Sequence, residues 1–180
     1  MSILKVSRLG HPVLREKAKL LSPAVLEKPE IQTLIDNMIE TMFEYHGVGL
    51  AAPQVHESLM LAVIESEGER GRIPLTVLVN PVVTLMEGEM IEDWEGCLSI
   101  PDLRGRVARH ARLQVEALDR RGKPTKFVAE GFFARVIQHE YDHLMGGVYL
   151  DRMGDLHTLT HLEEMKRYWM PEPEPSEPER

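Results

Sequence analysis

The sequence predicts an α+β fold in a single domain, and three observations support this prediction. Apolar residues recur at helical spacing early and again late in the chain, while the middle consists of short β-branched or alternating runs. The turns between these runs are short and contain glycine or proline, which favours antiparallel pairing over long crossovers. A chain of 180 residues suits one domain and can enclose an apolar core.

The first predicted helix covers residues 29–46. Pro29 suits its first turn, and Gly47 supplies the stop signal. Its apolar residues lie one, three or four positions apart, as expected for one face of a helix: Ile31, Leu34, Ile35, Met38, Met42 and Phe43.

The predicted strands follow in the middle of the chain, at residues 60–65, 75–80, 82–87 and 112–119. Each is an alternating or β-branched run bounded by turn residues, such as "GERGRIP" and "DRRGKP". Short strands with tight turns indicate a β-rich centre between the helical segments.

Helical spacing returns at residues 131–145, and a pair of glycines ends this segment. Residues 148–150 are compatible with one more short strand, and a last helix is predicted at about 155–170. The Pro- and Glu-rich residues 171–180 cannot bury enough apolar surface to become ordered. The sequence thus predicts one catalytic domain, residues 1–170, followed by a disordered tail.

Composition excludes several classes of protein. The net charge is −8, and the last ten residues contribute −3 of it. The rest of the chain is therefore also acidic overall, which argues against DNA binding. We expect no membrane segment and no secretory signal, since the apolar runs are only strand-sized. The single cysteine, Cys97, rules out a disulfide within the chain and favours a reducing compartment, so a cytoplasmic location is expected.

The motif "HEYDH", residues 139–143, is typical of a metal-binding helix that carries its own base. On a helical wheel His143 lies about 40° from His139, and Glu140 about 100° away inside the apolar stripe. A carboxylate buried there should have a raised pKa, which suits a proton shuttle. The alternative is a chance match, but a purely structural helix would direct these side chains to solvent.

Two histidines leave a third ligand to be found. The extended HExxHxxGxxH pattern is nearly present, but Tyr149 stands where its last histidine should be. His157 and His161 are further candidates, although their charged neighbours favour a solvated helix face. Upstream, Cys97 would complete a three-ligand shell with a fourth position left for water, as in catalytic sites.

Three motifs together resemble the peptide deformylase family, in the order in which that family carries them. They are "GVGLAAPQ" (47–54), "EGCLS" (95–99) and "QHEYDH" (138–143). The segments "GHPVLR" and "RVARHARLQVEALDRRG" are also similar, so the resemblance runs from about residue 8 to residue 155.

The resemblance implies antiparallel β-sheets packed around a central metal-binding helix, with an N-terminal and a C-terminal helix. It implies that Cys97, His139 and His143 bind one divalent metal per chain. Fe²⁺ is the expected native ion, and these donors also suit Zn²⁺, Ni²⁺ or Co²⁺.

The resemblance also implies the substrate, an N-formylmethionyl peptide that is part of a nascent chain near the ribosome exit. The products would be formate and a free amino terminus. Direct ribosome contact stays open, because the terminal helix is mixed in charge and then acidic.

The chemistry follows from the residue types. A divalent ion lowers the pKa of water towards about 7 and yields hydroxide as the nucleophile. Glu140 would accept the proton and pass it to the leaving amine. The resemblance assigns the oxyanion donors to the side chain of Gln54 and the backbone N–H of Leu98.

Residues expected to contact substrate lie in the first motif, in the second motif, where they include Glu95, and on the helix shortly before the third motif. Gly47 and Gly49 would let the backbone around Val48 approach an extended peptide, while Gly47 also ends the first helix. The methionine pocket is expected to be lined by the apolar side chains of Leu98, Phe132 and Val136.

Two acidic residues are candidates for support of the ligands. Glu95 would orient the cysteine loop or accept a hydrogen bond from a ligand histidine. Asp142 would pair with Arg109 or Arg104, with an exposed salt bridge as the alternative.

Three rival functions use the same residues. A metalloendopeptidase needs a third ligand downstream of the second histidine. A noncatalytic metal- or peptide-binding module has no need for Glu140. A cysteine hydrolase would use Cys97 as nucleophile and a histidine as base, a reading that the HExxH motif disfavours.

Overall fold

The structure, a computed structural model, describes residues 2–68 and 70–170. The tail predicted to be disordered, 171–180, lies outside these residues. The helices are α1 (Pro23–Leu26), α2 (Pro29–Glu44), α3 (Gly131–Leu144) and α4 (Leu162–Tyr168). The strands are β1 (Gly49–Ala51), β2 (Leu61–Ser66), β3 (Ile73–Leu85), β4 (Met90–Cys97), β5 (Ile100–His110), β6 (Arg112–Leu118), β7 (Pro124–Glu130) and β8 (Thr160–His161).

The strands form two antiparallel sheets. The larger has the order β1-β2-β3-β6-β7, so that β1 is an edge strand, and the smaller has the order β4-β5-β8 with β4 at its edge. Helix α3 contacts strands of both sheets and buries its apolar side chains, such as Val136 and Ile137, against the larger one. The predicted α+β class, with antiparallel sheets around a central helix, is confirmed.

Helix α2 confirms the first predicted helix. Ile35, Met38 and Met42 are completely buried in the core that it forms with β1 and β2. Residues 45–48 connect the end of α2 to the start of β1. The end of α2 therefore determines where the edge strand β1 lies beside α3.

The prediction of separate strands at 75–80 and 82–87 is wrong, because β3 is continuous through this region. The register with β6 shifts between Val79 and Val82, and Asn80 adopts a left-handed backbone with φ 51°. The Asn80 side chain bonds the backbone of Leu21 at both its N–H (2.9 Å) and its C=O (2.7 Å). Asn80 and Pro81 thus lie at a β-bulge rather than at a turn between two strands.

Two predictions near the C-terminus are also wrong. Residues 148–150 begin a 3₁₀-helix, Tyr149–Arg152, instead of a strand. The last helix is confined to α4, because the preceding residues form a 3₁₀-turn and then β8, which pairs with β5. This pairing holds the chain extended where its local pattern is compatible with a helix. Within residues 2–68 and 70–170, no helix is long and apolar enough to cross a membrane.

The fold requires a glycine at position 146, two residues after the end of α3. Gly146 has φ +82°, and a Cβ atom there would lie 2.9 Å from the backbone carbonyl of Arg15. Gly146→Ala should therefore lower the free energy of unfolding by about 1–3 kcal/mol, measured by chemical denaturation. Gly154→Ala is the matched control, since nothing lies within 4 Å of its added methyl group. Equal stability of the two variants would contradict this account.

Candidate metal centre

Three buried side chains from two elements converge at the centre of the molecule. Cys97 ends β4, while His139 and His143 lie one turn apart on α3. Their potential ligand atoms all lie within 4.8 Å of one another, and Cys97 Sγ is 3.2 Å from His143 Nε2. The structure thus brings together the three residues predicted as metal ligands.

The sulfur of Cys97 lies at a tight β-hairpin turn. Cys97 pairs with Ile100, so that Leu98 and Ser99 form the turn between β4 and β5. The Ser99 backbone N–H and the Gln54 side-chain amide both donate to Sγ at 3.4 Å. Burial would raise the pKa of the thiol, but the charge of His143 and hydrogen bonds from both histidines lower it well below its ordinary value. A thiolate is the form of cysteine that binds metals.

The orientation of His139 is determined by Glu95. The Nδ1 atom of His139 lies 3.0 Å from Glu95 Oε2, and because a carboxylate only accepts, Nδ1 carries the proton. Nε2 is then the nitrogen that would bind an ion after releasing its proton, as is usual for ligand histidines. Burial tends to raise the pKa of Glu95, but hydrogen bonds from His139 and Arg109 hold it well below the ordinary value. Glu95 is therefore an anion inside the protein.

Two buried arginines compensate this charge. Arg109 donates from Nε and Nη2 to the two oxygens of Glu95, at 2.9 Å each. Arg135 donates from Nη1 to Glu95 Oε1 at 2.7 Å and to the Val107 carbonyl at 2.8 Å. The sequence did not indicate that both arginines share Glu95, since neither differs in local pattern from a surface arginine.

A second carboxylate extends this network. Asp142 accepts hydrogen bonds from Arg109 Nη1 and Arg152 Nη2, at 2.7 Å each. Of the two partners considered for Asp142, the structure has Arg109, and the pair is buried rather than exposed. Charge pairs therefore join β4, β5 and α3 around His139.

Glu140 projects from α3 into the space beside β1. Its side chain is buried, and among the described residues its Oε2 atom has no hydrogen-bond partner. Burial raises the pKa of Glu140 to about 7. A Cβ atom at Gly49 would lie 2.4 Å from Glu140 Oε1, so only glycine leaves room for this carboxylate. An unpaired carboxylate with this pKa can take up and release a proton near neutrality.

A cavity of about 490 Å³ opens in front of these groups, within the usual size range of ligand sites. Its wall contains every residue predicted to contact substrate, together with Gln54: Gly47, Val48, Gly49, Glu95, Leu98, Phe132 and Val136. It also contains residues that the sequence did not single out for this role, among them Trp94, Arg104 and Leu162. The cleft therefore belongs to one site that also contains Cys97, His139, His143 and Glu140.

The alternative third ligands lie elsewhere. His157 and His161 are exposed and do not belong to the buried cluster. Tyr149 is buried and stacks on His139, with ring centroids 6.1 Å apart. Tyr149, which stands where the extended HExxHxxGxxH pattern has its last histidine, therefore packs against His139.

The donor set fits a divalent late first-row metal. One thiolate and two imidazoles suit such ions, and three protein ligands are typical of a catalytic site. The second ring nitrogen of His139 already has a carboxylate partner, as metal-bound imidazoles usually do.

Comparison with known proteins identifies the family. The model of the polypeptide deformylase family matches residues 3–158. A peptide deformylase of Desulfitobacterium hafniense is 45% identical over 152 residues, which cover 84% of this chain and 95% of that protein.

Solved structures agree. A class I type b peptide deformylase from Acinetobacter baumannii with Met-Ala-Ser bound has a TM-score of 0.81 at 36% identity, covering 84% of this chain and 99% of that one. A peptide deformylase from Synechococcus elongatus in complex with actinonin has a TM-score of 0.79 at 38% identity, covering 91% of this chain and 84% of that one.

Fold and site together define a hydrolase with an HExxH helix at its centre. The chain belongs to the peptide deformylase family and is an enzyme of that family. Members of this family are metalloenzymes that remove the N-terminal formyl group from nascent peptides.

The charge network makes a stability prediction. Arg109→Met leaves Glu95 and Asp142 short of a buried partner, so the free energy of unfolding should fall by about 3–5 kcal/mol. Arg112→Met is the matched control, because its pair with Glu130 is exposed and contributes about 0–1 kcal/mol. Urea denaturation of both variants measures the difference. A loss for Arg109→Met no larger than that of the control would refute the role of the network.

Proposed function

We propose that this enzyme hydrolyses the N-terminal formamide of formylmethionyl peptides and releases formate, with a divalent metal held by Cys97, His139 and His143. One observation carries the proposal: an unpaired buried glutamate, Glu140, adjoins this three-residue cluster at the wall of a peptide-sized cleft. The arrangement supplies both a metal site and a proton acceptor at the same point.

The proposed metal is Fe²⁺, as the family resemblance implies, while Zn²⁺, Ni²⁺ and Co²⁺ fit the same donors. When bound, such an ion lowers the pKa of water and polarises a carbonyl oxygen. The thiolate of Cys97 requires a reducing environment, which supports a cytoplasmic location for the enzyme.

Glu140 would move the protons of the reaction. Its raised pKa, about 7, lets it accept a proton from the attacking water and then transfer it to the leaving amine nitrogen. Gly49 supports this role because its lack of a side chain leaves the carboxylate room at the cleft wall.

Gln54 and Leu98 would stabilise the charge that develops on the formyl oxygen. The Ala51 backbone N–H holds Gln54 Oε1 at 2.8 Å, which turns the Nε2 donor towards Cys97. The backbone N–H of Leu98 immediately follows the cysteine at the hairpin turn. Preorganised donors of this kind typically contribute about 10²–10³ in kcat.

The peptide would lie extended in the cleft between two edge strands. In the described sheet β1 is an edge strand paired with β2, and at its outer edge the backbone of Gly49 lines the cleft, where it can form hydrogen bonds with a peptide. The methionine side chain would occupy the apolar surface of Phe132, Val136 and Leu98. The Acinetobacter baumannii structure with Met-Ala-Ser bound supports a substrate of this class.

Nascent chains beginning with formylmethionine are the proposed physiological substrates. Contact with the ribosome itself is left open, because helix α4 has acidic residues in its first turn and basic ones in its last. Such a mixed surface specifies no docking partner.

The proton-shuttle role is tested with Glu140→Ala. Turnover of a formyl-Met peptide should fall by roughly 10²–10⁴-fold, measured as formate release, while the metal content stays that of the wild type. Turnover equal to the wild type would refute the assigned role and favour a different base.

The ligand role is tested with Cys97→Ser. Loss of the thiolate should remove both the bound metal and the activity, measured by metal analysis after anaerobic purification. Glu140→Ala serves as the control for metal retention. Full activity of Cys97→Ser would end the proposal, and activity that resists chelators would favour a cysteine hydrolase instead.

A further inference from the structure

The wall of the cleft includes a residue from the C-terminal end of the chain. Leu162, the first residue of α4, lines the same cavity as Cys97, His139 and Glu140. It is partly exposed rather than packed away in the core. The substrate cleft therefore does not consist of the three motifs alone.

The position of Leu162 is held by an apolar stripe on α4. Leu162, Met165 and Trp169 lie three and then four residues apart, which puts them on one face of the helix. Met165 is buried, and Trp169 contacts Trp94 edge to face with ring centroids 5.6 Å apart. The intervening charged residues of α4 are exposed.

The segment before α4 is attached to the hairpin that carries the cysteine. β8 pairs with β5 at Leu103 and Arg104, and the backbone N–H of Arg106 donates to Thr158 Oγ1 at 3.2 Å. Arg104, one of these paired residues, itself lines the cleft. Leu162 is thus fixed relative to the reaction centre by backbone pairing.

Leu162 and Trp94 are both partly exposed and present apolar surface to the same cavity. Trp94 lies three residues before Cys97 on β4, at most about 10 Å along the strand at roughly 3.4 Å per residue. An extended peptide that begins at the metal cluster reaches this level at its second or third residue. The surface therefore lies beyond the methionine pocket.

We infer that Leu162 and Trp94 form an apolar subsite for the side chain of the second or third residue of the substrate peptide. The inference rests on the proposed function and adds a specificity determinant from α4. Packing accounts for Met165, which is buried, but an apolar side chain left in the cleft wall instead gains from burial by a substrate side chain.

The test compares three peptides with the wild-type holoenzyme and with Leu162→Ser: formyl-Met-Ser-Ser, formyl-Met-Leu-Ser and formyl-Met-Ser-Leu. In the wild type, at least one leucine peptide should have a higher kcat/KM than formyl-Met-Ser-Ser. In Leu162→Ser, kcat/KM for that peptide should fall roughly fivefold, mainly through KM. The value for formyl-Met-Ser-Ser should stay unchanged. Formate release measures all three.

Glu163→Ser is the matched control, because Glu163 is the next residue on α4 and is exposed outside the cleft. It should keep the wild-type ratio between the peptides. An equal loss on all three peptides in Leu162→Ser, or an unchanged ratio, would overturn the subsite. If the wild type releases no formate from any peptide, the proposed function fails instead, so the two failures are distinguishable.

Discussion

The site depends on one buried carboxylate, Glu95. An ionised carboxylate inside a protein is unfavourable by several kcal/mol unless charged partners and hydrogen bonds compensate it. Here Arg109, Arg135 and His139 all bond to it. Glu95 lies two residues before Cys97 near the end of β4, so its hydrogen bond to His139 also holds this end of the strand against α3. The same interaction that neutralises the charge therefore sets the cysteine opposite the histidines.

A second constraint acts on Glu140, the residue that follows His139 on α3. Glu140 is buried without a polar partner for Oε2 among the described residues, an arrangement that does not favour stability. Such exceptions are typical of functional sites, where a fold retains an unfavourable group for its chemistry. The space that this carboxylate occupies exists because β1 begins with Gly49 at the point of closest approach. The fit between β1 and α3 therefore depends on the absence of a side chain at Gly49.

The sequence predicted which residues converge at the candidate site better than it predicted the details of the fold. The four-residue spacing of His139 and His143 is a local property of a helix, and two strongly periodic helices were predicted nearly to their ends. The bulge at Asn80 was missed because its cause, hydrogen bonds to the distant Leu21, is tertiary. The same holds for α4, where pairing of β8 with β5 overrides local helical spacing.

Contacts between distant segments explain the remaining differences. Nothing near Arg135 in the sequence shows that it will be buried against a carboxylate forty residues away. Likewise Leu162 enters the cleft only because its helix packs beside Trp94. Residues within or near the motifs, such as Glu95 and Asp142, could be predicted as supports, whereas distant ones such as Arg135 and Leu162 are recognised only from the three-dimensional contacts.

X-ray absorption spectroscopy of the full chain, purified anaerobically with its metal, tests the central claim most directly. The account predicts one metal ion per chain, surrounded by one sulfur atom and two imidazole nitrogens, with the remaining coordination from oxygen. A metal shell without sulfur would contradict it, because Cys97 would then not be a ligand. The position of the β4–β5 hairpin beside α3 would then not serve metal binding.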